Sequence, residues 1–394
     1  MWETRPTSTF DGLVLRGAAV RSVDAHAVTA RSSWSRPKGG LAVRGQLIPE
    51  WGSHPLTRLS QQGFTWGPNS NANVRKEIRM ARTKANIDIP NLRGTLALVT
   101  GASDGLGLEI ARRLALAGAE VIMPVRNPKK GAAAVDRILA DAPGSVVSTR
   151  ALDLASLRSV HELGEVLLRE GRPINIWLNN AGVMIPPTRH VSEDGFELQF
   201  ATNFLGHFAL VAHALPLLKA GHAHMTTMSS LGSRNGRIDF DDLQSSKKYK
   251  PWPAYNQSKL ALTLFAREFA HRSAAQQWGV MSNVAHPGLT VTNLQGSGPN
   301  MGRNSRSAMS RTFPWMGRHL PSVVQQVDTG ALPALYAATS PDAKNDTFYG
   351  PGGRGHLTGA PVEQQYYPSA ENFEEAKQLW AVAEDLSGVT LTLR

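Results

Sequence analysis

The stretch "LALVTGASDGLGLEIARRLALAGA", Leu96 to Ala119, decides the fold class. Leu96 to Thr100 is an apolar run of strand length. Behind it, Leu108, Ile110, Leu114 and Leu116 sit in a stretch of helical character. Between the two, Gly101, Gly105 and Gly107 give the spacing G-x-x-x-G-x-G, with Ser103, Asp104 and Leu106 filling the loop. A glycine-rich turn from strand to helix lets backbone N–H groups reach a pyrophosphate at the helix N-terminus, where the macrodipole favours negative charge. A tight turn without a ligand is the alternative, and the strand–turn–helix context argues against it.

Outward from this stretch, apolar runs alternate with helical segments, which predicts an α/β, Rossmann-type doubly wound parallel sheet in a single domain. The second strand, "EVIMPV", ends in Arg126, where dinucleotide folds place either an acid for the ribose diol of NAD or an arginine for the 2′-phosphate of NADP. Arg126 therefore favours NADP(H) over NAD, a solvated loop arginine being the alternative. Pro124 lacks a ladder donor, so it is expected at the strand's last hydrogen-bonded position. The third strand leads to Asp153 and Leu154, with the Asp153 carboxylate able to accept from an adenine amine. The fourth, "INIWLNNAG", ends in Asn180, which can tie strand ends together, and in small Ala181 and Gly182, which allow close backbone approach.

In "AYNQSKLAL", residues 254 to 262, Tyr255 and Lys259 stand four apart and share one helical face. Two unit charges about 4 Å apart at an effective dielectric near 20 interact by roughly 4 kcal/mol, enough to bring a phenol from about 10 towards 7. A group poised there is an efficient general acid or base.

"TGASDGLG", "NNAG" and "YNQSK", in that order, resemble the short-chain dehydrogenase/reductase family from about Leu92 to about Gly353. "DGFELQFATNFLGHF" and the long spacer before Tyr255 are similar to its retinol-dehydrogenase-like branch. The resemblance implies a catalytic tetrad of Asn203, Ser230, Tyr255 and Lys259, with Tyr255 as proton donor or acceptor and Ser230 holding the substrate oxygen. It further implies that Lys259 holds the nicotinamide ribose, that Asn203 positions a water behind Lys259, and that Pro287, Gly288 and Thr292 contact the nicotinamide amide. Ser229 competes with Ser230, but neighbours on a strand point to opposite faces. The implied activity is hydride transfer between NADP(H) and a small-molecule carbonyl or alcohol. A non-catalytic NADP(H)-binding regulator is the alternative, against which the full tetrad argues.

Composition sets the remaining expectations. The 394 residues include no cysteine, so disulfides, thiolate catalysis and cysteine-bound zinc are excluded. The net charge of +11 is concentrated in residues 1–79, where nine Arg and two Lys face five acids, leaving +5 for 80–394. Residues 1–79 show neither helical nor strand periodicity and are read as a disordered extension, with Met80 as the native start and 80–394 as the catalytic domain. A transit-like segment or a nucleic-acid-binding arm are the alternatives for the extension. No uninterrupted apolar run reaches about 18 residues. "FLGHFALVAHALPLL", Phe204 to Leu218, reads as a buried helix. The expectations are thus a cytoplasmic enzyme with no membrane span and no nucleic-acid partner, and a homo-oligomer by family analogy. His286 reads as a packing residue and His222 to His224 as a loop entering a strand. Residues 294–319, free of acids but carrying Met301, Met309, Phe313, Trp315 and Met316, read as a long loop that is either a lid suited to a lipophilic substrate or a docked surface loop. The 24 residues between Ser230 and Tyr255, with Arg234, Arg237, three aspartates and "KKYK", read as another wall of the mouth. Phe373, Ala376, Leu379, Trp380, Ala383 and Leu386 form a helical stripe near the C-terminus, with Gly388 as its stop.

Overall fold

Strand β1 (Leu96–Val99) shows how the layers arise. Leu96 and Leu98 enter one apolar core while Ala97 and Val99 enter the other, as the period of two along a strand requires. A parallel strand buried on both faces needs helices on both. The computed structural model describes residues 86–302, 305 and 307–391; the extension 1–79 lies outside them.

Helix α1 (Gly105–Leu116) follows β1, then β2 (Glu120–Val125), α2 (Pro128–Asp141), β3 (Val147–Ala151), α3 (Leu157–Glu170) and β4 (Ile176–Asn179). A π-helical turn (Ala201–Leu205) runs into α4 (Gly206–Ala220), followed by β5 (His224–Met228), α5 (Pro251–Ala275) and β6 (Met281–Ala285). The strand order is β3-β2-β1-β4-β5-β6, extended by β7 (Phe348–Pro351) and β8 (Pro361–Gln364). Every pairing is parallel except β7 with β8. The chain winds outward from β1 to β3 and then returns to place β4 beside β1. The carboxyl ends of those two strands flank the topological switch point, where open α/β sheets bind ligands.

Pro124 is not at the end of β2's ladder: Val125 after it still pairs with Ala151 of β3. Glu120 donates towards β1 (to Thr95 O) and Val121 towards β3 (to Val146 O), so even-numbered residues of β2 face β1. Pairing with β1 stops at Ile122. In that register the donor that Pro124 lacks would face Val99, the last residue of β1, so the proline costs the interior strand only the final bond of that ladder.

The 294–319 segment is not one long loop. A short helix (Leu294–Ser297) and a longer one, α6 (Ala308–His319), form within it. Ser307 caps α6, its hydroxyl accepting from Ser310 N–H at 3.2 Å. Pro314 inside the helix concealed it, although Met309, Phe313 and Met316 stand at helical spacing. After α7 (Leu332–Thr339) and the β7–β8 pair, α8 (Phe373–Ser387) ends at Gly388 in the left-handed conformation (φ 67°). Its Trp380 packs edge-on against Phe208 at 5.3 Å between ring centres, and Ala376, Leu379 and Ala383 are buried with it. Burying each large side chain contributes roughly 1.5–3 kcal/mol. The C-terminal helix is therefore part of the core on the α3–α4–α5 face.

Candidate active site

The carboxyl ends of β1 and β4 are drawn together by backbone rather than by side-chain packing. Gly101 has φ +66°, and a Cβ there would lie 2.8 Å from Ala181 Cα. A Cβ at Gly107 would collide with the Asn180 amide nitrogen and the Gly101 carbonyl. The Asn180 side chain donates to Thr100 O at 2.8 Å, and its N–H donates to Thr100 Oγ1 at 2.9 Å. Asp104 caps α1 by accepting from Gly105 N–H at 2.7 Å, and its other oxygen accepts from Asn293 beyond β6. Gly105 faces Thr292: a Cβ on the glycine would be 3.6 Å from that of the threonine. The result is a cradle between Gly101–Gly107 and the Pro287–Thr292 turn, with glycines at its closest approaches and opening on a helix N-terminus. Such a cradle fits the phosphates of a dinucleotide. Arg126 is exposed just beyond β2. Asp153 turns one carboxylate oxygen back to Ala155 N–H at 3.0 Å, and Leu154 is buried where Gly206 packs against its carbonyl.

On the other side of the cleft, Asn203 lies in the π-helical turn, a local distortion often found at functional sites. Its side-chain amide accepts from Val183 N–H at 2.7 Å and donates to Val183 O and to Ser258 Oγ, each at 2.9 Å. Gly182, between this clamp and Lys259, has room for no more than a methyl group: a Cβ would be 3.1 Å from Asn203 Oδ1 and 3.6 Å from Lys259 Nζ. Ser229 turns into the interior, where its hydroxyl meets Thr263 Oγ1 at 2.8 Å and Ser233 Oγ at 3.1 Å. Ser230 lines the same cavity as the Tyr255 phenol, its Oγ accepts from Gly232 N–H at 3.1 Å, and its hydroxyl acts to lower the phenol's pKa. Tyr255 is 4% exposed and Lys259 likewise.

The electrostatics differ from the expected ion–phenol pair. Burial raises the Tyr255 phenol above its ordinary value, opposed by the Ser230 hydroxyl. Lys259 does not lower it in this state, because its ammonium is turned to the Met228 carbonyl at 2.9 Å. Burial also lowers the Lys259 ammonium to about 8. The fourfold spacing puts the two side chains on one face, but spacing alone does not aim a flexible ammonium at the phenol.

Tyr255, Ser230 and Lys259 line a cavity of about 180 Å³ whose other walls include Met184, Leu231, Trp252, Leu289, Leu294 and Phe313. Sequence reading passed over Met184 and Trp252. Trp252 could have been found, since it stands three residues before Tyr255 on the same helix, and the two rings meet edge-on at 6.2 Å. Met184 carries no local signal. A larger open depression of about 1010 Å³ lies at the opposite ends of the strands, around Thr95, Glu120 and Asn175. It holds none of the nominated residues. His286 is buried between Gln364 Oε1 (3.0 Å) and Gly288 N–H (3.2 Å), and burial lowers it to about 4, so it holds the Pro287–Gly288 turn as a neutral ring. Among the described residues no cluster of His, Asp or Glu could hold a metal ion.

A family model described as short chain dehydrogenase matches residues 95–301. The chain belongs to the short-chain dehydrogenase family. It is 37% identical over 298 residues to retinol dehydrogenase 13 of Homo sapiens, covering 75% of this chain and 85% of that protein. It is 35% identical over 305 residues to polyprenol dehydrogenase of Mus musculus, covering 76% and 86%. Among solved structures, an uncharacterized protein from Mycobacterium paratuberculosis aligns over 78% of this chain and 98% of its own, at 33% identity and a TM-score of 0.62. This short-chain dehydrogenase is thus an oxidoreductase of the retinol-dehydrogenase-like kind, moving hydride between a nicotinamide cofactor and a CH–OH or C=O group. The expected cytoplasmic placement is not supported. The relatives are dehydrogenases of retinol and polyprenol, apolar alcohols that water excludes and membranes dissolve. One stretch, Leu198–Ala220, is also long and apolar enough to cross a membrane, although 83% of its apolar window is buried inside the protein. Its scattered polar residues break the uninterrupted run that the sequence reading sought.

Proposed function

We propose that the protein, through the domain from Met80 onward, is an NADP(H)-dependent reductase or dehydrogenase of lipophilic aldehydes, ketones or secondary alcohols. The observation that carries this is the buried Tyr255 phenol sharing the wall of one apolar cavity with Ser230, with Lys259 one helical turn away. The bound cofactor supplies or accepts hydride. In reduction, Tyr255 donates its proton to the carbonyl oxygen, and Ser230 donates a hydrogen bond to that oxygen as negative charge builds on it. Lys259, on the same cavity wall one helical turn from Tyr255, holds the ribose hydroxyls. Asn203 keeps the 180–183 turn and Ser258 in register. Gly101, Ser103, Asp104, Gly105, Leu106 and Gly107 receive the phosphates; Asp153 and Leu154 flank the adenine; Asn180, Ala181, Gly182, Pro287, Gly288 and Thr292 flank the nicotinamide end.

NADP(H) preference is supported by Arg126, exposed at the end of β2 with no ion pair among the described residues, beside Lys129 and Lys130 in the first turn of α2. A lipophilic substrate is supported by the mostly apolar side chains around the cavity and by relatives named for retinol and polyprenol.

The test is reduction of aldehydes from butanal to dodecanal with NADPH and NADH. Tyr255→Phe is expected to bind NADPH as the wild type does and to lose kcat by about 10²–10⁴-fold. Undiminished turnover by that variant would refute the mechanism. Arg126→Gln is expected to weaken NADPH binding about tenfold and leave NADH unaffected, since a charge-assisted hydrogen bond contributes about 1.5–3 kcal/mol. Equal effects on both cofactors would remove Arg126 from the site.

A further inference from the structure

His207 follows Asn203 by four residues and is completely buried. Its Nδ1 lies 3.1 Å from the Asn203 main-chain oxygen and its Nε2 lies 3.0 Å from Thr100 Oγ1. A carbonyl oxygen only accepts, so Nδ1 carries the proton and Nε2 is bare. This tautomer is assigned from its hydrogen-bond partners. A bare Nε2 accepts, and the Thr100 hydroxyl proton therefore points to it. Leu178 O, at 3.1 Å from Thr100 Oγ1, is the competing acceptor, but it is already satisfied by Thr100 N–H, whereas a bare buried Nε2 has Thr100 as its donor. The lone pairs of the Thr100 hydroxyl then take the N–H groups of Asn180 (2.9 Å) and Ala181 (3.1 Å).

The bonds form one continuous line with no donor facing donor. The Asn180 and Ala181 amides donate to Thr100, Thr100 to His207, and His207 to the Asn203 carbonyl. From the same residue, Asn203 Nδ2 donates to Ser258 Oγ, which donates to the Tyr255 carbonyl at 2.8 Å. The line thus runs from the turn that walls the cofactor cradle to the first turns of the helix bearing Tyr255 and Lys259. Protonation would break it by placing a donor against Thr100. Burial opposes that, lowering His207 to about 3, and the nearby Lys259 charge acts in the same direction.

We propose that His207 is a positioning residue for hydride transfer: as the neutral Nδ1–H tautomer it fixes the Asn203 peptide within the π-helical turn and, through Thr100, the Asn180–Ala181 turn, holding the two halves of the site at one separation. The proposal rests on the roles given above to Tyr255 and the cradle. An error of about 1 Å between reacting groups can cost about 10²-fold in rate, whereas the phosphate contacts that dominate cofactor affinity lie elsewhere.

Three substitutions separate positioning from simple support. In His207→Asn the side-chain amide can replace the Nδ1 donor, in His207→Gln it can replace the Nε2 acceptor, and Thr100→Val removes the hydroxyl at nearly constant shape. With the full-length protein, NADPH and the fastest aldehyde of the butanal-to-dodecanal series, His207→Gln is expected to lower kcat about 10- to 100-fold. The KM and the NADPH dissociation constant should stay within about threefold. His207→Asn should recover part of the loss, and adding Thr100→Val to His207→Gln should cost little more than either change alone. Unchanged kcat overturns the proposal, as does a parallel fall in kcat, cofactor affinity and melting temperature. Nitrogen-15 NMR of histidine-labelled wild type, with the His207 signals identified by their loss in His207→Asn, should show a protonated Nδ1 and a bare Nε2 from pH 5 to 9. A protonated Nε2 in that range also overturns it. A wild type that binds NADPH but reduces nothing defeats the site reading and this proposal together; an active wild type with unimpaired His207→Gln defeats the proposal alone.

Discussion

On the cofactor side of the cleft, Gly101 and Gly107 leave no space for a methyl group, and Asn180 ties two strand ends through bonds of 2.8 and 2.9 Å to Thr100. On the substrate side, Phe313, Leu294 and Trp252 reach the cavity from a capped helix, a single helical turn and the start of α5. Trp252 stays 49% exposed. The first side is specified by backbone, where one added carbon is intolerable. The second is specified by side-chain volume, where several residues would serve. A site built this way keeps one cofactor geometry while its substrate wall is free to vary.

This contrast can be broken by experiment, the largest effect first. Gly107→Ala places a methyl group against the Asn180 amide and the Gly101 carbonyl. Overpacking of this kind costs about 1–3 kcal/mol, so NADPH affinity should fall roughly 10- to 100-fold in a fluorescence titration. Wild-type affinity in that variant would mean that the cradle is not the phosphate site. Phe313→Ala, on the permissive side, should raise the KM for dodecanal about tenfold and leave butanal nearly unchanged, because only the longer chain gains from the apolar wall. Equal effects on both aldehydes would place Phe313 outside the substrate path.

The smallest effect concerns Lys259, whose ammonium burial lowers to about 8 from the 10.5 of a free lysine. Between those values the unfolded chain binds the proton and the folded protein does not, so this group makes stability rise with pH. Lys259→Met should be more stable than the wild type near pH 7, and the gap should narrow towards pH 10 in urea denaturation. A gap that stays constant with pH would show that Lys259 is not the titrating group.

The glycine loop, the β1–α1 unit and the order of motifs were legible because each has a local cause: a positive φ, a close approach, an apolar period. Alternation along the strand said that only one of Ser229 and Ser230 faces the cleft, the family resemblance pointed to Ser230, and the structure turns Ser229 to Thr263. The helix α6 was not legible, since Ser307 is an ordinary cap and Pro314 reads as a breaker. Nor was the direction of the Lys259 ammonium, because a four-carbon chain on the correct helical face can reach either the phenol or the Met228 carbonyl. His207 looked like an interruption of an apolar run and proves to bridge Thr100 and Asn203, 107 positions away and four positions away.

The sequence by itself determined the doubly wound sheet and the glycine turn between β1 and α1, because glycine geometry and side-chain periodicity act over a few neighbours, while the four residues nominated for chemistry came from the resemblance to the family's motifs. Only the tertiary structure decided which groups meet: that Ser230 and Tyr255 line one cavity, that Lys259 turns to a carbonyl, and that the buried His207 ring lies between Thr100 and Asn203. Those outcomes depend on burial and on partners brought from distant strands, and no local pattern encodes either.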